Sequence, residues 1–141
     1  MTTDRSDGFS VFKTDLEGYP LIAFVDVAPR SLELREKTPW FLSVSTPITS
    51  PTLQGLPSAE EADALNSWEE RIERELASVC RLIFVGRVTW NGNRELLYYV
   101  DSATQVASVL DDIAHSDTSR PFAFRCERDD EWTEVEVYLS S

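Results

Sequence analysis

The sequence predicts an α+β fold: a ferredoxin-like antiparallel sheet with two helices on one face, extended by an N-terminal hairpin and a C-terminal strand. Three observations predict it. Residues 82–100 hold two runs rich in β-branched and aromatic residues around Asn91-Gly92, the dipeptide best suited to a tight type I′ turn. An amphipathic helical pattern lies on each side of this hairpin, and an extended segment lies beyond each helix. Strand, helix, hairpin, helix, strand is the chain order of a split β-α-β sandwich.

Residues 1–8 are polar and are expected to be a flexible N-terminus, leaving residues 9–141 as a single domain. Residues 9–14 read as a short strand, Asp15-Leu16-Glu17-Gly18-Tyr19-Pro20 supplies turn chemistry, and residues 21–27 resume as a mostly buried strand. How this hairpin joins the sheet cannot be read from spacing. Residues 29–38 are charged and helix-neutral, which predicts a loop. Residues 40–46 form the next strand, after which Pro47, Pro51, Gly55 and Pro57 forbid regular structure.

Ser58-Ala59-Glu60-Glu61 is a capping box that opens the first long helix. Ala62, Leu65, Trp68 or Glu69, Ile72, Leu76 and Val79 then recur at spacings of three and four, giving one apolar stripe up to about Arg81. Glu60, Asp63, Glu70, Glu73 and Arg74 occupy the other side. After the central hairpin, Asp101 or Ser102 caps a second helix to about His115, with Ala103, Val106, Val109 or Leu110, and Ile113 as its stripe. Residues 121–128 are extended, with Phe122, Phe124 and Cys126 on one face; Asp129-Asp130 turns the chain, and residues 132–139 close it as a final strand. In that strand Val135, Val137 and Leu139 face one way, and Trp132, Glu134, Glu136 and Tyr138 the other.

Composition narrows the function classes. Thirteen Lys and Arg against 25 Asp and Glu leave a net charge of -12, a field that repels nucleic acid and anionic lipid and attracts basic surfaces. No apolar run approaches the ~20 residues that span a bilayer, and the polar start lacks a signal-peptide core, so a cytoplasmic location is expected. Two cysteines (Cys80 and Cys126) and one histidine are too few for a zinc site, and no metal or cofactor is expected. Both thiols are expected to be small buried hydrophobes.

Several stretches resemble the bacterial family catalogued as domain of unknown function 695. They are Phe84-Val85-Gly86-Arg87, then Asn91-Gly92, Arg94-Glu95 and Tyr98-Tyr99; Asp15 to Pro20; Pro39-Trp40; Gly55-Leu56-Pro57-Ser58 with Glu61; and the acidic-aromatic ending from Asp130 to Leu139. The resemblance covers most of residues 9–139 and carries no catalytic motif. It implies a ferredoxin-like sandwich distantly like the B-type regulators of ribonuclease E, which inhibit by binding an enzyme. That second link is an analogy between folds.

Candidate sites are few. His115 is expected to be a solvated helix-end residue, and no serine sits in a nucleophile elbow. Gly86 and Gly92 belong to the hairpin, not to a phosphate-cradling loop. With a strict period of two, Leu82, Phe84, Gly86, Val88 and Trp90 share a face, which puts Arg87 opposite them amid Ile83, Val85 and Thr89. An arginine there calls for a carboxylate, and Glu95 on the neighbouring strand is placed to pair with it.

The strongest charge signal is C-terminal. Glu127, Asp129, Asp130, Glu131, Glu134 and Glu136 fall within ten residues, offset by Arg128. They are either a solvated strand face that discourages edge pairing or, around an exposed Trp132 with Tyr138, a grip for a basic protein. The expected function is accordingly a non-catalytic acidic protein that inhibits or neutralises a basic partner, such as a toxin or nuclease, in the manner of an immunity protein or nuclease regulator. The alternative is a small-molecule sensor or enzyme with a pocket near Arg87 and Tyr99, lined also by Trp90 and Tyr98. A homodimer formed through an open sheet edge is a third reading.

Overall fold

A computed structural model describes residues 9–26, 31–49 and 51–135. The expected flexible N-terminus, Glu136, Tyr138 and the rest of the expected last strand lie outside the described residues.

Among the described residues, six strands and three helices follow one another as β1 (Phe9–Leu16), β2 (Tyr19–Asp26), α1 (Leu32–Lys37), β3 (Trp40–Pro47), α2 (Ala59–Ala77), β4 (Leu82–Trp90), β5 (Asn93–Val100), α3 (Ala103–Ser116) and β6 (Ala123–Arg128). The strands form one sheet in the order β1-β2-β4-β5-β3-β6, and every neighbouring pair is antiparallel. The N-terminal hairpin therefore extends the sheet beyond β4. Its turn is tighter than the sequence suggested: only Glu17 and Gly18 separate the strands, with φ of 54° and 87°. Asn91 and Gly92 adopt φ of 46° and 79°, the two positive values that a type I′ turn requires.

Each long helix starts where its cap places it. Ser58 Oγ accepts from the Glu61 backbone N–H, and Ser102 Oγ accepts from that of Gln105. The expected loop at residues 29–38 instead contains α1. Ser31 Oγ accepts from the Leu34 N–H, and Lys37 pairs with Glu33 one turn back, so local capping and charge organise a segment of indifferent propensity. A last helical turn occupies residues 133–135, in place of the start of the expected closing strand.

Both faces of the sheet carry covering elements. On one, α2 and α3 bury Ile72, Leu76, Val106, Leu110 and Ile113 over Leu42, Val44, Phe84, Leu96 and Tyr98. Phe122, Phe124 and Cys126 pack against this cluster together, as their alternation predicts. On the other face, Phe41, Ile83, Val85, Leu97 and Tyr99 lie under Leu34 of α1 and under Trp132 and Val135. Burial pushes the Cys80 thiol up to about 12 and that of Cys126 up to about 11, consistent with thiols packed as apolar groups. None of the described helices is long and apolar enough to cross a membrane.

Two features of this frame shape the surface. Helices about 10 Å across, set side by side, cover about four strands spaced about 4.8 Å apart. With α2 against β4 and α3 against β6, the helix-side face of β2 is left open beside α2. The second feature is a β-bulge. Phe84 pairs with Tyr98 and Gly86 with Leu97, so Val85 is an extra residue in β4. Gly86 fits closely there: a Cβ would lie 3.0 Å from the Phe24 carbonyl oxygen of β2, so a side chain would press that backbone away by a few tenths of an ångström.

Candidate functional site

The bulge changes which residues meet. After it, Arg87 points to the helix side, on the face of Leu82 and Phe84, whereas the straight alternation predicts the opposite face. Its carboxylate partner is consequently Glu69 of α2. Nε donates to Oε1 at 2.7 Å and Nη2 to Oε2 at 2.5 Å, a bidentate pair, with the Glu69 side chain only 6% exposed. The guanidinium also lies 5.5 Å from the Phe24 ring centroid and 5.8 Å from that of Phe84. Hydrogen bonding to Glu69, working against burial, raises the Arg87 pKa above its ordinary value. The expected Arg87–Glu95 pair does not form: Glu95 sits across from Val88 on the other face and accepts from Ser43 Oγ.

The expected pocket of Arg87, Trp90, Tyr98 and Tyr99 is likewise not assembled. Neighbours on a strand point to opposite faces. Tyr98 donates to Glu73 under α2, and Tyr99 donates to Asp129 on the far side. Trp90 Nε1 donates to the Leu16 carbonyl.

What does open beside Arg87 is a cleft of about 310 Å³, where the uncovered face of β2 meets the loop that leads into α2. Ile22, Phe24, Leu56 and Pro57 give it apolar walls, and Thr89 and Arg94 join Arg87 as its polar groups. Thr89 and Arg94 are register partners across the β4–β5 pair, so their side chains share the helix-side face. Arg94 is 7% exposed. Its Nε donates to Thr89 Oγ1 at 3.3 Å and its Nη1 to Asn66 Oδ1 at 3.4 Å, both long and both to neutral oxygens. Burial, then the neighbouring charge of Arg87, holds the Arg94 pKa below the ordinary arginine value. No local pattern marks Arg94 as a site residue beyond its place in the Arg94-Glu95 stretch of the family resemblance. The available signal was its position three residues after Asn91, which places it in register with Thr89.

The C-terminal candidate residues fall into two groups. Asp129 and Trp132 are turned inward. Trp132 is 3% exposed, not the exposed anchor expected, and its ring stacks on Tyr99 with centroids 4.0 Å apart and planes 5° from parallel. Its Nε1 donates to the Thr38 carbonyl at 3.0 Å. The chain bends there because Trp132 adopts φ 55° and its N–H donates to the Asp129 carbonyl, closing a turn where a strand was expected. The Asp129 carboxylate caps the helical turn at residues 133–135, accepting from the N–H groups of Thr133 and Glu134, from Thr133 Oγ1 and from Tyr99 Oη.

Glu127, Asp130, Glu131 and Glu134 stay toward solvent but are not bare. Arg125 lies 2.9 Å from Glu127 and 3.5 Å from Glu134; Arg128 lies 2.8 Å from Asp130; Arg35 lies 3.8 Å from Glu131. Arg125 and Arg35 fall outside the ten-residue window from which the charge was counted, so the corner is less negative than the sequence suggested. His115 is exposed at the end of α3, where Nδ1–H donates to the Asp111 carbonyl at 2.7 Å.

Asp129 gives a pH prediction. Burial opposes its charged form, but the hydrogen bonds from the Glu134 N–H, Tyr99 and Thr133 outweigh burial and hold the carboxyl below its ordinary 3.8. A lowered folded-state pKa contributes stability that is complete above the unfolded value and is lost as pH falls through the folded value. Urea midpoints measured from about pH 6 down to about pH 2 should therefore fall most steeply below about pH 4. The Asp129→Asn variant turns an amide N–H₂ toward donors, so it should lose about 2–3 kcal/mol at neutral pH. It should also show a shallower acid limb, and equal acid limbs would contradict this role for Asp129.

Comparison with known proteins places the chain by family alone. No curated protein and no solved structure matches it. Residues 7–140 match the family of unknown function DUF695, and the chain belongs to that family.

Proposed function

We propose that the protein acts by contact and without a reaction of its own, as an acidic binding protein that inhibits or neutralises a basic partner such as a toxin or nuclease. Immunity proteins and nuclease regulators work in this way. The observation that carries the reading is the outward side of α2. Glu60, Asp63 and Glu70 recur there at helical spacing, exposed, with no basic partner among the described residues. Asp111 and Asp112 are exposed on α3 alongside. With a net charge of -12 behind them, these groups would speed encounter with a basic surface. Glu127, Asp130, Glu131 and Glu134 add a rim whose arginine pairs would have to open on binding.

A ferredoxin-like description supports the same reading. In the order β6-β3-β5-β4, the four strands at one end of the sheet follow the fourth-first-third-second arrangement of a split β-α-β unit, with α2 and α3 on one face. The likeness to the B-type regulators of ribonuclease E, a bacterial origin and a cytoplasmic location belong to this proposal.

Salt and charge removal test it. A binding protein isolated from the producing cell on the immobilised chain is rebound to purified wild type and to the Glu60→Gln, Asp63→Asn, Glu70→Gln triple variant. Association should slow by about tenfold in the variant, and in the wild type as salt rises from about 50 to about 300 mM. Association that is indifferent to both changes removes the proposal.

A further inference from the structure

We infer that the cleft between β2, β4 and the start of α2 is a binding site for a small monocarboxylate with an apolar body. The carboxylate would sit on Arg94 beside Thr89, with the body against Ile22, Phe24, Leu56 and Pro57. Three observations meet here. First, Arg94 lines the cleft while only 7% exposed, and no carboxylate lies within ion-pair distance of it among the described residues. A buried guanidinium presents five donors in a planar fork, and two long bonds to neutral oxygens satisfy few of them. Holding a buried guanidinium without a direct ion pair is costly, and an entering carboxylate would relieve that cost.

Second, the neighbouring cation is already matched. Arg87 is committed bidentately to Glu69, so the cleft holds one guanidinium without an ion pair. That favours a single negative charge over a phosphate dianion. The planar two-oxygen acceptor of a carboxylate also fits the guanidinium fork. Third, the remaining walls are apolar and the volume of about 310 Å³ stands at the small end of ligand pockets. A ligand of that size would bury a short hydrocarbon or a single ring.

The site is separate from the outward acids of α2, so its test is independent of the basic-partner proposal. Hexanoate and phenylacetate are titrated into the full chain, with hexanamide, phenylacetamide and inorganic phosphate as comparisons, by calorimetry and by ¹⁵N–¹H spectra of the arginine Nε–H groups. Either acid should bind saturably and move the Arg94 Nε–H resonance, and the matching amide should bind at least about tenfold more weakly. Arg94→Met should lose the acid by a similar factor. If that variant does not fold, Thr89→Val, which removes the hydroxyl that accepts from Arg94, and the wild-type resonance shift decide the matter. Amides that bind as well as acids, phosphate that binds more tightly than both, or no saturation by about 10 mM acid each overturn the inference.

Discussion

Replacing Trp132 with alanine should destabilise the protein by about 3–5 kcal/mol, read as a lower urea midpoint with an unchanged slope. The ring is 3% exposed and lies flat on Tyr99, so truncation opens a cavity between the sheet and the C-terminal turn. It also strips the Thr38 carbonyl of its indole donor. Trp132→Phe helps separate the two terms: it keeps a ring to stack on Tyr99 but loses the indole donor and part of the ring, at about 1–3 kcal/mol. Trp132→Gly relieves the positive φ of 55° and should cost no more than alanine, despite the smaller side chain. An exposed anchor would tolerate all three changes within about 0.5 kcal/mol. That outcome would return Trp132 to the partner-binding role the sequence suggested.

What was legible in the sequence was whatever local chemistry decides. Asn91-Gly92 fixes its own turn, Ser58 and Ser102 cap the helices they precede, and the three- and four-residue spacing of Leu65, Ile72 and Leu76 finds the buried side of α2. The candidate sites depended on long-range geometry, and there local rules gave wrong neighbours. One extra residue at Val85 reverses the face of Arg87, and no alternation count reveals an insertion that shows only in the pairing of β4 with β5. Trp132 turned inward because Tyr99 and the Thr38 carbonyl, 33 and 94 residues away in sequence, offered it a stacking surface and an acceptor. Charge counted in a window also misled, since Arg35 and Arg125 reach the acids from outside it. One signal was visible and underused. Glu69 falls in the apolar stripe of α2 as an alternative to Trp68, and a carboxylate at a buried helical position implies a cation beneath it.

That carboxylate sets the second large effect. Glu69→Ala should cost about 3–5 kcal/mol, because it leaves Arg87 packed between Phe24 and Phe84 with its charge unmatched. The pair itself is expected to add little net stability, since both groups lose water to form it. The double variant Glu69→Leu with Arg87→Met should therefore recover most of the loss and lie within about 1.5 kcal/mol of wild type. A double variant as unstable as Glu69→Ala would mean that the ion pair holds α2 on the sheet in a way apolar contacts cannot replace. Glu69→Gln extends the test to the cleft. It keeps the side-chain shape, removes the negative charge next to Arg87, and leaves two uncompensated guanidinium groups on one wall. A carboxylate bound at Arg94 should then bind more tightly, by about tenfold if the added attraction reaches about 1.4 kcal/mol, in a protein that is itself less stable. Stability and affinity moving in opposite directions on one substitution is the signature of a charge balance set for the fold and open to a ligand. A parallel loss of both would instead make Glu69 a structural support of the cleft wall.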